Sequence, residues 1–273
     1  MGCDEQLIGG NKMYNFEFEK PSTIADAVSA MAAEEAQALG GGQTLIPTLK
    51  QRLASPSKLV SLSGIAEMKG VCEADGGISI GGATTHATVA AEAGAYPALA
   101  ALASTIGDPA VRNRGTIGGS LANNDPAACY PSAALASGAT IETNSREIAA
   151  DDYFQGMFTT ALEEGEIITN VRFPIPEVAN YQKFEQPASR FAMVGVFVAK
   201  FADGVRVAVT GASEEGVFRW SEAEEALSGN FSADAVEGLS VSGDGMINDL
   251  HGSGDYRAHL VKVLTKRAVA AAS

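Results

Sequence analysis

The sequence predicts an α+β protein whose two units differ in how strands and helices alternate. Residues 14–62 alternate short strands and helices, the pattern of a small parallel sheet. After Pro174-Ile175-Pro176, long β-branched segments are joined by a hairpin-like Ala202-Asp203-Gly204 turn, and helices follow. The second unit is therefore predicted to be a small antiparallel sheet with helices on one side, and 174–176 to be the junction.

Apolar spacing and capping residues predict the individual elements. Ser22 or Thr23 can cap a helix that begins near Ile24 and repeats apolar residues at three- and four-residue spacing. Strands are also predicted at 14–18, 37–39, 58–62, 139–142, 167–173, 181–184, 193–201 and 204–210, and Ile78-Ser79-Ile80 marks the start of the middle region. Further helices are predicted at 45–53, 86–95, 97–107, 132–137, 221–228, 231–239 and 256–272.

Two glycine-rich segments fit neither periodicity. The first is Gly40 to Pro47, and the second is the long stretch from Gly107 to Pro131, with Thr116 to Ser120 at its centre. Tight turns use glycines in the same way. Together, however, the two segments offer backbone nests, hydroxyl and amide groups, and the positive charges of Arg112 and Arg114, which favours a ligand with two phosphates.

Composition excludes several classes of function. The net charge of −14 disfavours nucleic acid and anionic lipid as partners, and no apolar run is long enough to span a membrane. Three scattered cysteines and three scattered histidines argue against an iron–sulfur or zinc site, so no metal ligand is predicted. Sparse cysteines and the lack of a signal-peptide pattern predict a reducing, cytoplasmic location.

The glycine segments resemble the paired motifs of the FAD-binding medium subunit of molybdenum hydroxylases, a family that includes aerobic carbon monoxide dehydrogenase and the flavin domain of xanthine dehydrogenase. Residues 40–47 resemble its first motif, and residues 112–131 resemble most of its second. The resemblance continues at Gly82 to His86, at Ala188 to Ala192 and at Tyr256-Arg257. It covers nearly the whole chain from Met13.

The resemblance implies a vanillyl-alcohol-oxidase-like (PCMH-type) FAD-binding domain in two parts, not a Rossmann fold. The expected domains are 13–175, with subdomains of about 13–66 and 67–175, and a C-terminal α+β domain of the carbon monoxide dehydrogenase flavoprotein type at 176–273. Residues 1–12 are expected to be an extension or tag-like tail.

By resemblance, the FAD-binding residues are Gly40, Gly41, Gly42, Gln43, Thr44, Leu45, Thr116, Ile117, Gly118, Gly119, Ser120, Asn123, Asp125 and Cys129. Backbone N–H groups of 40–44 and 116–120 would hold the pyrophosphate. Ser120, Cys129 and Arg190 depart from the family pattern, in which Asn, Asp and Asp are frequent. Cys129 is read either as a cofactor neighbour or as a small buried hydrophobe, and His86 either as flavin-facing or as solvent-facing.

No nucleophile or acid–base pair stands out, so no catalytic residue is predicted. The resemblance implies an electron-transfer subunit that carries electrons from the [2Fe-2S] clusters of a small partner to an external acceptor. A large molybdopterin subunit would oxidise the substrate, in a dimer of heterotrimers. Two alternatives stay open: a stand-alone flavin oxidase, and a docking subunit that has lost FAD.

Overall fold

The structure is a computed structural model that describes residues 13–74 and 76–272. The predicted tail at 1–12 therefore lies outside the described residues. The first unit contains β1 (Glu17–Glu19), α1 (Ile24–Met31), β2 (Ala36–Leu39), α2 (Leu45–Lys50) and β3 (Lys58–Ser61). The strands form a parallel sheet in the order β1-β3-β2, as predicted. Thr23 caps α1, accepting a hydrogen bond from the Asp26 amide at 3.1 Å.

A second, antiparallel sheet has the order β4-β5-β10-β6-β7. Its region of the chain contains β4 (Val71–Ala74), β5 (Gly77–Gly81), α3 (His86–Glu92), α4 (Pro97–Ser104), α5 (Pro109–Arg112), α6 (Ile117–Asn123), α7 (Tyr130–Ser137), β6 (Thr140–Thr143), β7 (Glu147–Ala149), α8 (Ala150–Tyr153), the hairpin β8 (Phe154–Gly156) and β9 (Thr159–Thr160), and β10 (Ile168–Pro174). β4, β7 and the hairpin are too short for sequence periodicity to indicate them.

The stretch from Gly107 to Pro131 contains helices, which the sequence pattern did not predict. Asp108 caps α5 by accepting from the Val111 amide at 2.9 Å, and Thr116 caps α6 by accepting from the Gly119 amide at 3.1 Å. Helices of four and seven residues are too short to show a repeat, and adjacent glycines lower the helix propensity of α6. Capping and packing therefore override composition here.

The C-terminal unit is an antiparallel sheet of β11 (Val178–Glu185), β12 (Ala192–Phe201), β13 (Gly204–Ser213) and β14 (Gly216–Arg219), with α9 (Ser221–Gly229) and α10 (Gly254–Ala271) packed on it. The hairpin at Ala202-Asp203-Gly204 is confirmed by the β12–β13 pairing. The helix predicted at 231–239 is wrong, because only a 3-10 turn forms at Ala233–Val236 and Gly238 follows it.

Ion pairs and buried polar contacts hold the units together. Arg206 on β13 donates to the carbonyl of Leu135 at 2.9 Å and to Asp151 at 2.6 Å, which joins the second sheet region to the C-terminal sheet. Within the C-terminal unit, Arg257 on α10 is 3% exposed and donates to the carbonyls of Met193 and Gly211. The exact domain bounds stay a prediction. Among the described residues, no helix is both long and apolar enough to cross a membrane.

Candidate functional site

A cavity of about 390 Å³ lies where the two glycine segments meet. Residues 40–45 line one side, and the start of α6 lines the other. Lys183 on β11 and the loop at 189–191 also contribute to the wall, so the C-terminal unit closes one end. Its volume is that of a small-molecule binding site.

The glycines allow the two segments to touch backbone to backbone. A Cβ atom on Gly41 would lie 1.9 Å from the Arg114 carbonyl oxygen. A Cβ atom on Gly118 would lie 2.6 Å from the carbonyl oxygen of Gly82. Neither distance leaves room for a side chain, because the obstructing atoms are backbone. These glycines therefore position the segments against their protein neighbours and shape the cavity between them.

The backbone amides of the two segments differ in what they can offer a ligand. In α6, the amides of Ile117, Gly118 and Ser120 already donate to backbone carbonyls at 2.9–3.1 Å. The Gly119 amide donates to Thr116 Oγ1. The amides of 41–44, by contrast, donate to no acceptor within residues 13–74 and 76–272. Gly42 has a φ of +72°, a conformation in which successive N–H groups can converge on an anion.

The cavity wall contains every predicted binding residue except Ile117: Gly40, Gly41, Gly42, Gln43, Thr44, Leu45, Thr116, Gly118, Gly119, Ser120, Asn123, Asp125 and Cys129. Ile117 is fully buried in the hydrophobic core instead. The reason is that Ile117 lies in a helix and shares its core-facing side with Leu121, four residues on, whereas an irregular loop could expose it.

Three other polar residues of the second segment, Arg112, Arg114 and Asn124, do not line the cavity. Arg112 donates to the carbonyls of Ile106 and Gly107 at 3.1 and 2.8 Å and does not line the cavity. Arg114 is exposed and is also absent from the wall. Asn124 is buried, and its amide holds the β8–β9 hairpin through bonds of 2.8 and 2.9 Å to Gly156 and Thr159 carbonyls. The expected arginine contribution to phosphate binding is therefore not seen.

His86 lies in the cavity wall, at the start of α3, and is 5% exposed. The solvent-facing interpretation is therefore wrong. Burial, with a smaller contribution from Arg112, lowers the pKa of His86 to about 4, so the imidazole is neutral at pH 7. Its Nδ1 atom is buried and has no hydrogen-bond partner among the described residues.

The remaining charged groups of the wall are mostly compensated. Glu166 pairs with Arg146 at 3.0 Å, and hydrogen bonding from that arginine lowers the pKa of Glu166 to about 2. Burial raises the pKa of Asp125, although its carboxylate accepts a bond from the Ala127 amide at 2.8 Å. Lys183 donates to the Thr105 carbonyl at 2.9 Å.

Sequence reasoning missed Lys183, Glu166 and Phe191 as wall residues. Lys183 could have been found from the two-residue alternation of β11, which places Tyr181 and Lys183 on one face. Glu166 and Phe191 carry no such signal, because tertiary folding alone brings their loops to the cavity. Arg190 lines it too, with a left-handed φ of +59°.

These features fit FAD. Unpaired amides at 41–44 suit a pyrophosphate, the hydroxyls of Thr44 and Ser120 add donors, and the wall includes apolar side chains such as Leu45 and Ile106. The described residues contain no group of three or more His, Cys, Asp or Glu side chains able to hold a metal ion.

Comparisons with known proteins identify the family. The family described as "FAD binding domain in molybdopterin dehydrogenase" matches residues 14–176. The chain is similar to the nicotine 6-hydroxylase medium subunit of Paenarthrobacter nicotinovorans, with 34% identity over 94% of this chain and 97% of the relative. It is also similar to the carbon monoxide dehydrogenase medium chain of Afipia carboxidovorans, with 32% identity over 93% and 96% of the two chains.

Solved structures agree with the fold. Quinoline 2-oxidoreductase from Pseudomonas putida 86 superposes with a TM-score of 0.85 and 29% identity, covering 95% of this chain and 97% of that one. Carbon monoxide dehydrogenase from Hydrogenophaga pseudoflava gives a TM-score of 0.85 and 30% identity, covering 95% and 98%. The chain therefore belongs to the family of FAD-binding domains of molybdopterin dehydrogenases, as an FAD-binding electron-transfer subunit of a molybdenum-dependent oxidoreductase.

Proposed function

We propose that the chain holds FAD in the cavity, with the pyrophosphate on the first glycine segment and the flavin toward the C-terminal unit. The observation that carries this assignment is the set of amides at 41–44, which line the cavity and have no acceptor among the described residues. Gly41 and Gly42 are half-buried and Gln43 and Thr44 are exposed, so these amides are open to a ligand, and a phosphate oxygen would form charge-assisted hydrogen bonds with them.

The second segment acts mainly as a support in this proposal. Thr116 caps α6 and lies where a Cβ on Gly40 would approach within 2.8 Å of its Oγ1 atom. Cofactor contacts from this segment come from the side chains of Ser120, Asn123 and Asp125, which line the cavity. The pyrophosphate binding first expected from both segments is thus assigned mostly to one.

The role proposed for the bound cofactor is electron relay. FAD supplies the redox chemistry, since it exchanges electrons singly or in pairs. The chain positions it and excludes water from part of it. His86 is neutral, and Glu166 is tied to Arg146. Neither is therefore poised to transfer protons at neutral pH.

Partner chains complete the proposed enzyme. The names of three relatives, each a medium subunit or medium chain, contain nicotine, carbon monoxide or glyceraldehyde. By analogy, this chain would join a large molybdopterin subunit and a small [2Fe-2S] subunit, as a dimer of heterotrimers in the cytoplasm. Because the relatives' names span unrelated substrates, the substrate is proposed only as a compound oxidised on the large subunit.

Co-expression with the neighbouring genes tests this role. The expected product is a complex that contains molybdenum, [2Fe-2S] clusters and FAD, in which substrate bleaches the flavin absorbance. The isolated chain with FAD should keep its flavin oxidised in the same substrate. Rapid flavin reduction in the isolated chain would instead indicate a stand-alone oxidase.

A further inference from the structure

Two polar side chains of the cavity wall, Cys129 and Lys183, lie close to the buried hydroxyl of Tyr181. Cys129 precedes α7, lines the cavity and is 5% exposed. Lys183 Nζ lies 3.8 Å from Cys129 Sγ. Tyr181 and Lys183 are alternate residues of β11 and so share one face of the strand. These three residues, Cys129, Tyr181 and Lys183, are named the thiol cluster.

The Tyr181 hydroxyl is the unexplained member of the thiol cluster. It is buried, and no acceptor within the described residues meets it in normal hydrogen-bond geometry, although the Cys129 sulfur lies close enough to interact with it weakly. Burial raises the pKa of Tyr181, and the neighbouring Cys129 raises it further. The phenol therefore stays a donor at neutral pH, next to a sulfur atom that is a poor acceptor.

An oxygen atom added to the Cys129 sulfur would give the Tyr181 hydroxyl an acceptor. It would accept the Tyr181 O–H bond and lie beside the Lys183 ammonium, two partners that suit a negatively charged oxygen. The surface cysteine Cys72 lies on β4, and its thiol donates to the carbonyl of Glu73 at 3.7 Å.

We propose that Cys129 is a peroxide-reactive thiol and that Lys183 and Tyr181 stabilise its sulfenic acid product. The co-reactant is hydrogen peroxide. Sγ attacks one peroxide oxygen, the S–O bond forms and the O–O bond breaks. The leaving hydroxide takes the proton released by the thiol and departs as water. Sulfur is oxidised by two electrons and peroxide is reduced by two.

The proposal places a modification site inside the cofactor cavity. Reduced flavins generate hydrogen peroxide from dioxygen, so the oxidant would arise near Cys129; this clause rests on the proposed function. The added oxygen would occupy cavity space, so oxidation is expected to weaken FAD binding until a thiol reductant restores the cysteine.

Mass spectrometry of the full chain, treated with hydrogen peroxide and a dimedone-type trap without flavin, tests the proposal. The Cys129 peptide should carry the trap and should react about tenfold faster than the Cys72 peptide. Cys129→Ser should abolish that adduct, and Cys72→Ser should leave it unchanged. Labelling of Cys129 no faster than Cys72 would overturn the proposal.

Two further variants separate a built site from a merely accessible cysteine. Lys183→Met should slow oxidation of Cys129, and Lys183→Arg should restore much of the rate because it keeps the positive charge. Tyr181→Phe should shorten the lifetime of the sulfenic acid, since it removes a donor. Rates unchanged in Lys183→Met would overturn the role of the cluster. Because the assay contains no flavin, its failure leaves the proposed electron-transfer function untouched.

Discussion

Replacing Gly41 with alanine tests how the two glycine segments create the cavity. The added Cβ would lie 1.9 Å from the Arg114 carbonyl oxygen, and ordinary contact begins at 3.4 Å, so the segments must separate by about 1.5 Å. Overpacking of this kind typically destabilises a protein by ~1–3 kcal/mol. Because the obstructing atom is backbone and cannot rotate away, we expect the upper end of that range.

The same displacement should weaken FAD binding. The amides at 41–44 move with Gly41, and losing one hydrogen bond to a charged oxygen removes ~1.5–3 kcal/mol. That loss corresponds to a rise in Kd of roughly ten- to a hundredfold.

Urea unfolding gives the change in stability, and quenching of flavin fluorescence during titration gives Kd. Gly94→Ala is the matched control, because a Cβ there meets nothing within 4 Å. Equal stability and equal affinity in the Gly41 and Gly94 variants would show that the close contact of Gly41 with Arg114 does not shape the cavity.

Three other substitutions probe separate parts of the account. In the folded chain the pKa of His86 is lowered from 6.5 to about 4, so between these pH values the unfolded chain binds more protons. The free energy of unfolding should therefore fall as the pH drops from 6.5 to 4. His86→Gln should flatten this part of a pH series of urea melts. Asn124→Ala should lose ~1–3 kcal/mol in urea melts, because it leaves the Gly156 carbonyl without its donor; unchanged stability would contradict the hairpin role. Arg257→Met should lose ~2–3 kcal/mol by the same measurement, because it leaves the carbonyls of Met193 and Gly211 without their donor; a loss below about 1 kcal/mol would contradict it.

Patterns that repeat along the chain were predictable from the sequence. The capped helix α1 and the β12–β13 hairpin follow from local chemistry, namely Thr23 as a cap and Ala202-Asp203-Gly204 as a turn. The helix α6 was not predictable from the sequence, because it depends on the Thr116 cap and on packing against Gly82, which is distant in sequence.

The candidate site likewise has features that local sequence predicts and features that depend on tertiary contacts. The glycine motifs located the cavity wall, because their composition is unusual and specific. Which amides remain unpaired could not be predicted, since that depends on the Thr84 and Gly82 carbonyls that accept from the start of α6. Lys183 and the orphaned Tyr181 hydroxyl likewise come to Cys129 only through tertiary folding.

Calorimetric titration of the isolated chain with FAD and with riboflavin shows whether the first glycine segment binds the pyrophosphate. Riboflavin carries the same isoalloxazine but lacks the pyrophosphate that the amides at 41–44 are proposed to hold. The account predicts one FAD per chain and riboflavin binding weaker by roughly a hundredfold or more, the effect of losing two charge-assisted hydrogen bonds. Equal affinity for the two compounds, or no FAD binding by the folded chain, would contradict it.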